Sequence, residues 1–263
     1  MSAQTAGPLL EANNVTIRFG GLTAVSDFNL SIGPNELVGL IGPNGAGKTT
    51  LFNMLTGVYQ PTEGTISIGG EKTAGRKPYE ITRLGVARTF QNIRLFKDLS
   101  VLDNVKVGGH IHYVYSIGSA VLHTNRFQSA EAVADEQAME LLRIFNLDER
   151  AHYDAKNLPY GDQRRLEIAR ALSARPRLLL LDEPAAGLNT GETAELMKTI
   201  HEVKERFGLA ILLIEHNMEL VMGICQRIIV LSYGKTIAQG TPEQIQNDPV
   251  VIEAYLGEAV VEK

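Results

Sequence analysis

Apolar and polar positions along the chain follow two alternating rhythms. Val15-Thr16-Ile17-Arg18-Phe19 alternates residue by residue and then meets Gly20-Gly21, which predicts a strand ending in a turn. Val25 to Ile32 predicts a second strand, closed by Gly33-Pro34-Asn35. Thr65-Ile66-Ser67-Ile68 predicts another between turn residues, and Val86 to Phe90 a further one that leads into Gln91. Leu37 to Ile41, Leu178 to Leu181 and Ala210 to Ile214 are apolar without alternation. Such short runs predict strands buried on both faces. Arg227 to Gln239 reads as two strands paired around Gly234-Lys235.

The slower rhythm marks helices. Leu51 to Leu55 opens one that Gly57 is placed to stop, and Pro78 to Leu84 predicts a short one ended by Gly85. Ser100-Val101-Leu102-Asp103 has the form of a capping box. Ala134, Ala138, Leu141, Leu142 and Phe145 recur at helical spacing with acids between them. Leu158 to Ala174 continues as a helix until Arg175-Pro176, and Leu196, Ile200, Val203 and Phe207 mark a helix face ended by Gly208. Thr241-Pro242 and Asp248-Pro249 each place a cap before a proline that opens a short helix. Strands alternating with helices predict an α/β fold with a mainly parallel sheet and a ligand at the strands' carboxyl ends.

Composition narrows the class. A chain of 263 residues, 44% of them hydrophobic, can bury one large core or two lobes sharing a site. Its net charge of −5 argues against nonspecific coating of nucleic acid, which needs a basic surplus. The single cysteine, Cys225, cannot form an internal disulfide and sits beside the apolar run Leu220 to Ile224, so it reads as buried filler in a reducing compartment. Met1 to Gly7 lacks the form of a secretory signal, and no apolar run approaches the ~18 residues of a membrane span. These features predict a soluble or peripheral protein on the cytoplasmic side. His110, His112 and His123 have neither cysteines nor nearby acids at ligand spacing, so a loop packing on a partner is expected there rather than a metal.

Gly42-Pro43-Asn44-Gly45-Ala46-Gly47-Lys48-Thr49-Thr50 fits G-x-x-x-x-G-K-[ST] between a predicted strand and a predicted helix. Its glycines let several backbone N–H groups converge on phosphate oxygens, and the following helix start adds its positive end. Lys48 can reach the β- and γ-phosphates, and the Thr49 hydroxyl can ligate Mg²⁺. Asp182 ends an apolar strand, where it can hold Mg²⁺ through water, and Glu183 follows it as a base for an attacking water. Gln91 and His216 each follow a strand and are expected at the same sheet edge. Gln91 can ligand Mg²⁺ or position water, and it also begins the helical insert, a natural hinge. His216 is placed as a γ-phosphate sensor. Phe19 reads either as core or as a partly open ring stacking on a purine.

Together these residues resemble the nucleotide-binding subunit of an ATP-binding cassette (ABC) transporter, over nearly the whole chain. The phosphate loop is similar to Walker A, and Leu178 to Asp182 with Glu183 to Walker B and its catalytic glutamate. Gln91 matches the Q-loop, Ala186-Gly187-Leu188-Asn189 the D-loop, His216 the switch histidine and Phe19 the aromatic that stacks on adenine. The resemblance also implies that Val25 contacts nucleotide. It further implies one P-loop NTPase domain over 1–263, with a mainly parallel core sheet and an antiparallel β-subdomain in 1–91 and 158–240. Residues 92–157 would form a mostly helical subdomain and 241–263 C-terminal helices.

The Arg-Phe-Gly-Gly-Leu opening, the insert near Gly108 to Arg126, Tyr160 to Glu167 and Ala254-Tyr255-Leu256-Gly257 look like branched-chain amino-acid importers of the Liv type. Subunits of lipopolysaccharide export and of amide or urea uptake are similar as well. In the family two cassettes pack head to tail, so each ATP and Mg²⁺ lies between one Walker A and the partner's signature. The implied partners are a second ATPase subunit, in a heterodimer or homodimer, transmembrane permeases and, indirectly, a periplasmic binding protein, with no nucleic acid. Leu158 to Arg165 departs from the family's Leu-Ser-Gly-Gly-Gln signature, since Pro159 replaces serine, Tyr160 the first glycine and Asp162 the glutamine. Pro159 offers the opposite phosphate neither hydroxyl nor N–H, whereas the Gly161 N–H can still contribute. A soluble ABC ATPase of translation or DNA repair, and a module that binds ATP without turning it over, are the competing readings.

Overall fold

The computed structural model describes residues 7–112 and 124–261; Tyr113, Tyr115 and His123 of the predicted partner-packing stretch lie outside them. A four-stranded antiparallel sheet contains β1 (Leu10–Phe19), β2 (Leu22–Ile32), β4 (Glu63–Ile68) and β5 (Glu71–Lys72) in the order β2-β1-β4-β5. A six-stranded sheet contains β3 (Leu37–Ile41), β6 (Val86–Arg88), β7 (Leu178–Asp182), β8 (Ala210–Ile214), β9 (Arg227–Ser232) and β10 (Lys235–Gly240). Its order is β10-β9-β3-β8-β7-β6, and only the β9–β10 pairing is antiparallel.

The uninterrupted apolar runs are explained by a sheet covered on both sides. Leu179, Leu181, Ile211 and Leu213 face a core shared with helices α3 (Val101–Gly109), α4 (Asn125–Ile144), α5 (Tyr160–Ser173), α6 (Thr190–Phe207) and α7 (Met218–Ile224). Leu178, Leu180, Leu212 and Ile214 face the opposite core, with α1 (Lys48–Leu55) and the antiparallel sheet. The period of two therefore survives, with apolar residues on both faces. Helix α1 lies between the sheets, burying Leu51, Phe52, Met54 and Leu55. The short α2 (Pro78–Arg83) precedes β6, and α8 (Pro242–Gln246) and α9 (Pro249–Val261) follow β10.

Local chemistry sets many element ends. The Ser100 hydroxyl accepts the Asp103 N–H at 3.0 Å and starts α3. Asn189 and Glu192 cap α6 reciprocally, and Gly208 ends it at φ 61. β2 and β4 begin three and two residues earlier than expected, at Leu22 and Glu63, and two further boundaries differ for a visible reason. β1 begins five residues before Val15, because a register shift with Asn14 at φ 50 interrupts the alternation. β6 ends at Arg88 rather than Phe90, since the Phe90 and Gln91 carbonyls turn away to accept from Arg164.

The Cys225 thiol is buried, and burial pushes its pKa up to about 12, which suits the expected filler role. Leu180 is fully buried between β7's neighbours and the α1 layer. Leu180→Ala should lower unfolding free energy by about 2–5 kcal/mol in urea titrations followed by circular dichroism.

Candidate nucleotide site

Parallel strands in one sheet send their following loops to one edge. The phosphate loop follows β3, His216 follows β8, Glu183 follows β7 and Gln91 follows β6, in the same order across the sheet. The loop's shape depends on two glycines. A Cβ on Gly42 would lie 2.0 Å from the Leu231 carbonyl oxygen. Gly47, at φ 103, would place one 2.7 Å from the Ala24 oxygen. Lys48 is buried, and its Nζ donates to the Gly42 and Pro43 carbonyls at 2.6 and 2.8 Å. Helix α1 starts at Lys48, so its first N–H groups lack acceptors within the helix.

A cavity of about 590 Å³ opens over this loop. Asn44, Gly45, Ala46, Gly47, Lys48, Thr49 and Thr50 form its floor, and Gln91, Glu183 and His216 one wall. Phe19 lines the same cavity with Leu22, Thr23 and Tyr233. The Phe19 ring is 45% exposed and meets Tyr59 edge to face at 5.3 Å, which leaves it open to a planar ligand. A slightly larger cavity of about 640 Å³ lies between α3, α4, α5 and α6. Its cations already have protein partners, Lys106 with Glu131 and Asp135, Arg206 with Glu140, Arg175 with the Gln137 amide oxygen and Arg177 with the Leu84 carbonyl, so size alone does not locate the chemistry.

The polar wall is a connected unit. Glu183 accepts from Gln91 Nε2 at 2.9 Å on one oxygen, and His216 Nε2 lies 2.9 Å from the other. Glu183 itself sits at φ 49, a costly backbone for a residue with a side chain. Beneath it, the buried Glu215 carboxylate accepts the Ala185 N–H at 2.7 Å on one oxygen. Its other oxygen accepts the His216 and Asn217 N–H groups at 3.0 and 3.2 Å. Burial raises the Glu215 pKa against the pull of those bonds, and the nearby Glu183 charge raises it further. Glu215 thus ties the loop after β7 to the loop after β8.

Arg164 on α5 fixes the segment carrying Gln91, donating to the Phe90 and Gln91 carbonyls at 3.0 and 2.6 Å. Below it, Glu167 accepts the Arg94 N–H at 3.2 Å and is buried, which raises its pKa. Spacing along the chain does not reveal Arg164, Glu215 or Tyr233 as parts of this site. Their partners are brought together only by the sheet edge and by the β9–β10 turn, where Tyr233 sits at φ 45.

Several expected residues lie elsewhere. Val25 is fully buried, and its Cγ2 would lie 3.2 Å from a Cβ on Gly47, so it supports the loop from behind and does not line the cavity. That corrects the contact with nucleotide expected of it. Gly42 likewise is buried below the floor. Asp182 is buried outside the cavity lining, with its carboxylate 2.7 Å from Arg88 and its N–H 3.3 Å from the Thr89 hydroxyl. Pro159 and Gly161 begin α5 and line a separate cavity with Asp162, Arg165, Arg150 and Glu192. The folded chain does not bring them to Lys48.

The donor set suits a hard cation: the Thr49 hydroxyl, the Gln91 amide oxygen and, one layer back, the Asp182 carboxylate. No group of three His, Cys, Asp or Glu among the described residues forms a metal cage. A cation held here would draw on phosphate and water for its remaining ligands, as Mg²⁺ commonly does.

A glycine phosphate loop at the carboxyl edge of a parallel sheet, with acids at the end of the next strand but one, defines a P-loop nucleotide-binding protein. Residues 25–186 match the ABC transporter model, and residues 235–261 that of the branched-chain amino acid ATP-binding cassette transporter. The chain is 51% identical to the high-affinity branched-chain amino acid transport ATP-binding protein LivG of Escherichia coli K12, covering 96% of this chain and 99% of that one. The crystal structure of the ADP conformation of MJ1267, an ATP-binding cassette of an ABC transporter, superposes with a TM-score of 0.82 at 29% identity, covering 95% and 99% of the two chains. The dimeric post-hydrolysis structure of the cassette MJ0796, bound to ADP and Pi, superposes at 0.75 with 26% identity, covering 89% and 98%. The chain belongs to the ABC transporter family of ATP-binding cassettes.

Gly47→Ala forces a Cβ against the Ala24 carbonyl at a positive φ. The variant should lose nucleotide binding, read by fluorescent ATP-analogue titration, and melt at lower temperature than the wild type.

Proposed function

We propose that this chain is the ATP-hydrolysing subunit of an ABC importer for branched-chain or related amino acids, peripheral to the cytoplasmic face of a membrane. The observation that carries the reading is the Gln91–Glu183–His216 hydrogen-bonded wall facing the phosphate loop across one cavity. Relatives named for branched-chain transport and the match of residues 235–261 support the cargo class. No helix among the described residues is long and apolar enough to cross a membrane, and in this reading separate permease subunits supply the passage.

In this reading Phe19 stacks on adenine while the loop amides, with Asn44 and Thr50 beside them, and Lys48 hold the β- and γ-phosphates. Lys48 already donates to two loop carbonyls, so an arriving phosphate exchanges those partners for a charged one. Thr49, Gln91 and, through water, Asp182 would hold Mg²⁺, which neutralises phosphate charge when bound. Glu183 orients a water and takes its proton, and His216 holds the carboxylate and senses the γ-phosphate. Gln91 leaves Glu183 as it turns toward the site, and Arg164 passes that movement to α5. The helical segment then carries it to the permease.

Pro159 and Gly161 serve the opposite nucleotide of a head-to-tail dimer, the packing that the family resemblance implies; the cassette MJ0796 is likewise dimeric. Pro159 lacks the charge-assisted hydrogen bond of a signature serine, worth about 1.5–3 kcal/mol. The dimer is therefore an asymmetric pair with a second ATPase, whose site opposite this chain's Pro159 works more slowly.

Phosphate release by the assembled transporter tests the reading. Lys48→Ala should lower turnover at least about 10²-fold, the scale of losing one preorganised phosphate donor; unchanged hydrolysis would contradict the assignment. Glu183→Gln should cost more activity than the same change in the partner ATPase, and equal losses would refute the asymmetry.

A further inference from the structure

Asp182, the acid expected on the metal side, is already paired with a cation supplied by the chain. Arg88, the last residue of β6, places Nη2 2.7 Å from Asp182 Oδ2. The two side chains are 8% and 4% exposed, so water screens this pair little. The other arm of the guanidinium, Nη1, donates to Asn53 Oδ1 on α1 at 2.7 Å. The guanidinium carbon lies 5.3 Å from the Phe52 ring centre and 5.1 Å from that of Phe90. Two aromatic rings thus flank the charge.

The sheet order gives this contact a further consequence. β8 separates β3 from β7, so no strand pairing fixes the helix carrying the phosphate loop against the strand carrying Asp182. Arg88 spans that gap through Asn53 on one side and Asp182 on the other. A guanidinium keeps its charge at any working pH, so Asp182 has a counter-charge when no divalent ion is present. A buried carboxylate stripped of its partner is strongly unfavourable. The same positive charge repels a cation arriving on the Thr49 side of Asp182.

We infer that Arg88 is the resident counter-ion of Asp182, a positioning residue that keeps the metal-free site folded and weakens divalent-cation binding. This rests on reading Asp182 as the metal-side acid. Arg88 stands three residues before Gln91 in a predicted strand, where no local pattern marks it.

Mn²⁺ binding to the full chain at saturating ADP, followed by electron paramagnetic resonance, tests it without turnover. Arg88→Gln should bind Mn²⁺ about three- to tenfold more tightly than wild type, the scale of removing one charge a few ångströms away. Arg88→Lys, which keeps the charge, should stay within about twofold of wild type. Equal or weaker binding by Arg88→Gln would overturn the assignment, as would an equal shift in Arg88→Lys. If wild type binds no Mn²⁺ with ADP, both the metal site and the role of Arg88 fall. Melting of the metal-free protein is the second measurement: Arg88→Gln should melt lower, and adding Asp182→Asn should restore much of the loss. A double variant no more stable than Arg88→Gln, or equally unfolded, would refute the counter-ion role.

Discussion

Glu183 accepts hydrogen bonds from side chains delivered by the two strands that flank its own, Gln91 after β6 and His216 after β8. Everything else at the site depends on that register. A parallel sheet sends its loops to one edge, and hydrogen-bonded ladders hold the strand ends within side-chain reach of each other. The backbone of Glu183 is held at a positive φ to complete the arrangement, a cost met by the buried sheet below it.

Around this wall the buried polar groups act as ties between segments distant in sequence. Glu215 joins the loops after β7 and β8 through three backbone N–H groups. Arg164 joins α5 to the segment carrying Gln91, and Arg88 joins α1 to Asp182. Each places a charged or hydrogen-bonding head in a low-dielectric setting where partners are few and bonds are correspondingly directional. In the proposed function such ties carry a change at a nucleotide contact to the helical layer through Arg164. The start of α5, with Pro159 and Gly161, faces a different cavity, which is why the site is completed from outside the chain in the proposed dimer.

Local signals read the elements well where one rule dominated. Serine, asparagine and threonine caps start α3, α6 and α8, and glycines at positive φ follow α1 and α6. Both-face burial explains the apolar runs of β3, β7 and β8. Local signals failed where a distant partner decides the outcome. The early start of β1 depends on pairing across a bulge with β2 and β4, and the early end of β6 depends on Arg164. Val25 precedes the phosphate loop in sequence, yet burial against Gly47 removes it from the cavity.

By itself the sequence determined the phosphate loop, its lysine and hydroxyl, the strand-end acids and the α/β class, because spacing within a few residues constrains backbone shape and chemistry together. Tertiary structure alone decided which carboxylate faces the cavity and which is held behind it. It also selected Arg88, Arg164 and Glu215 as the groups that fix them. The physical reason is that a side chain's charge partner is chosen by proximity in a folded, water-poor interior, where residues 94 positions apart become neighbours.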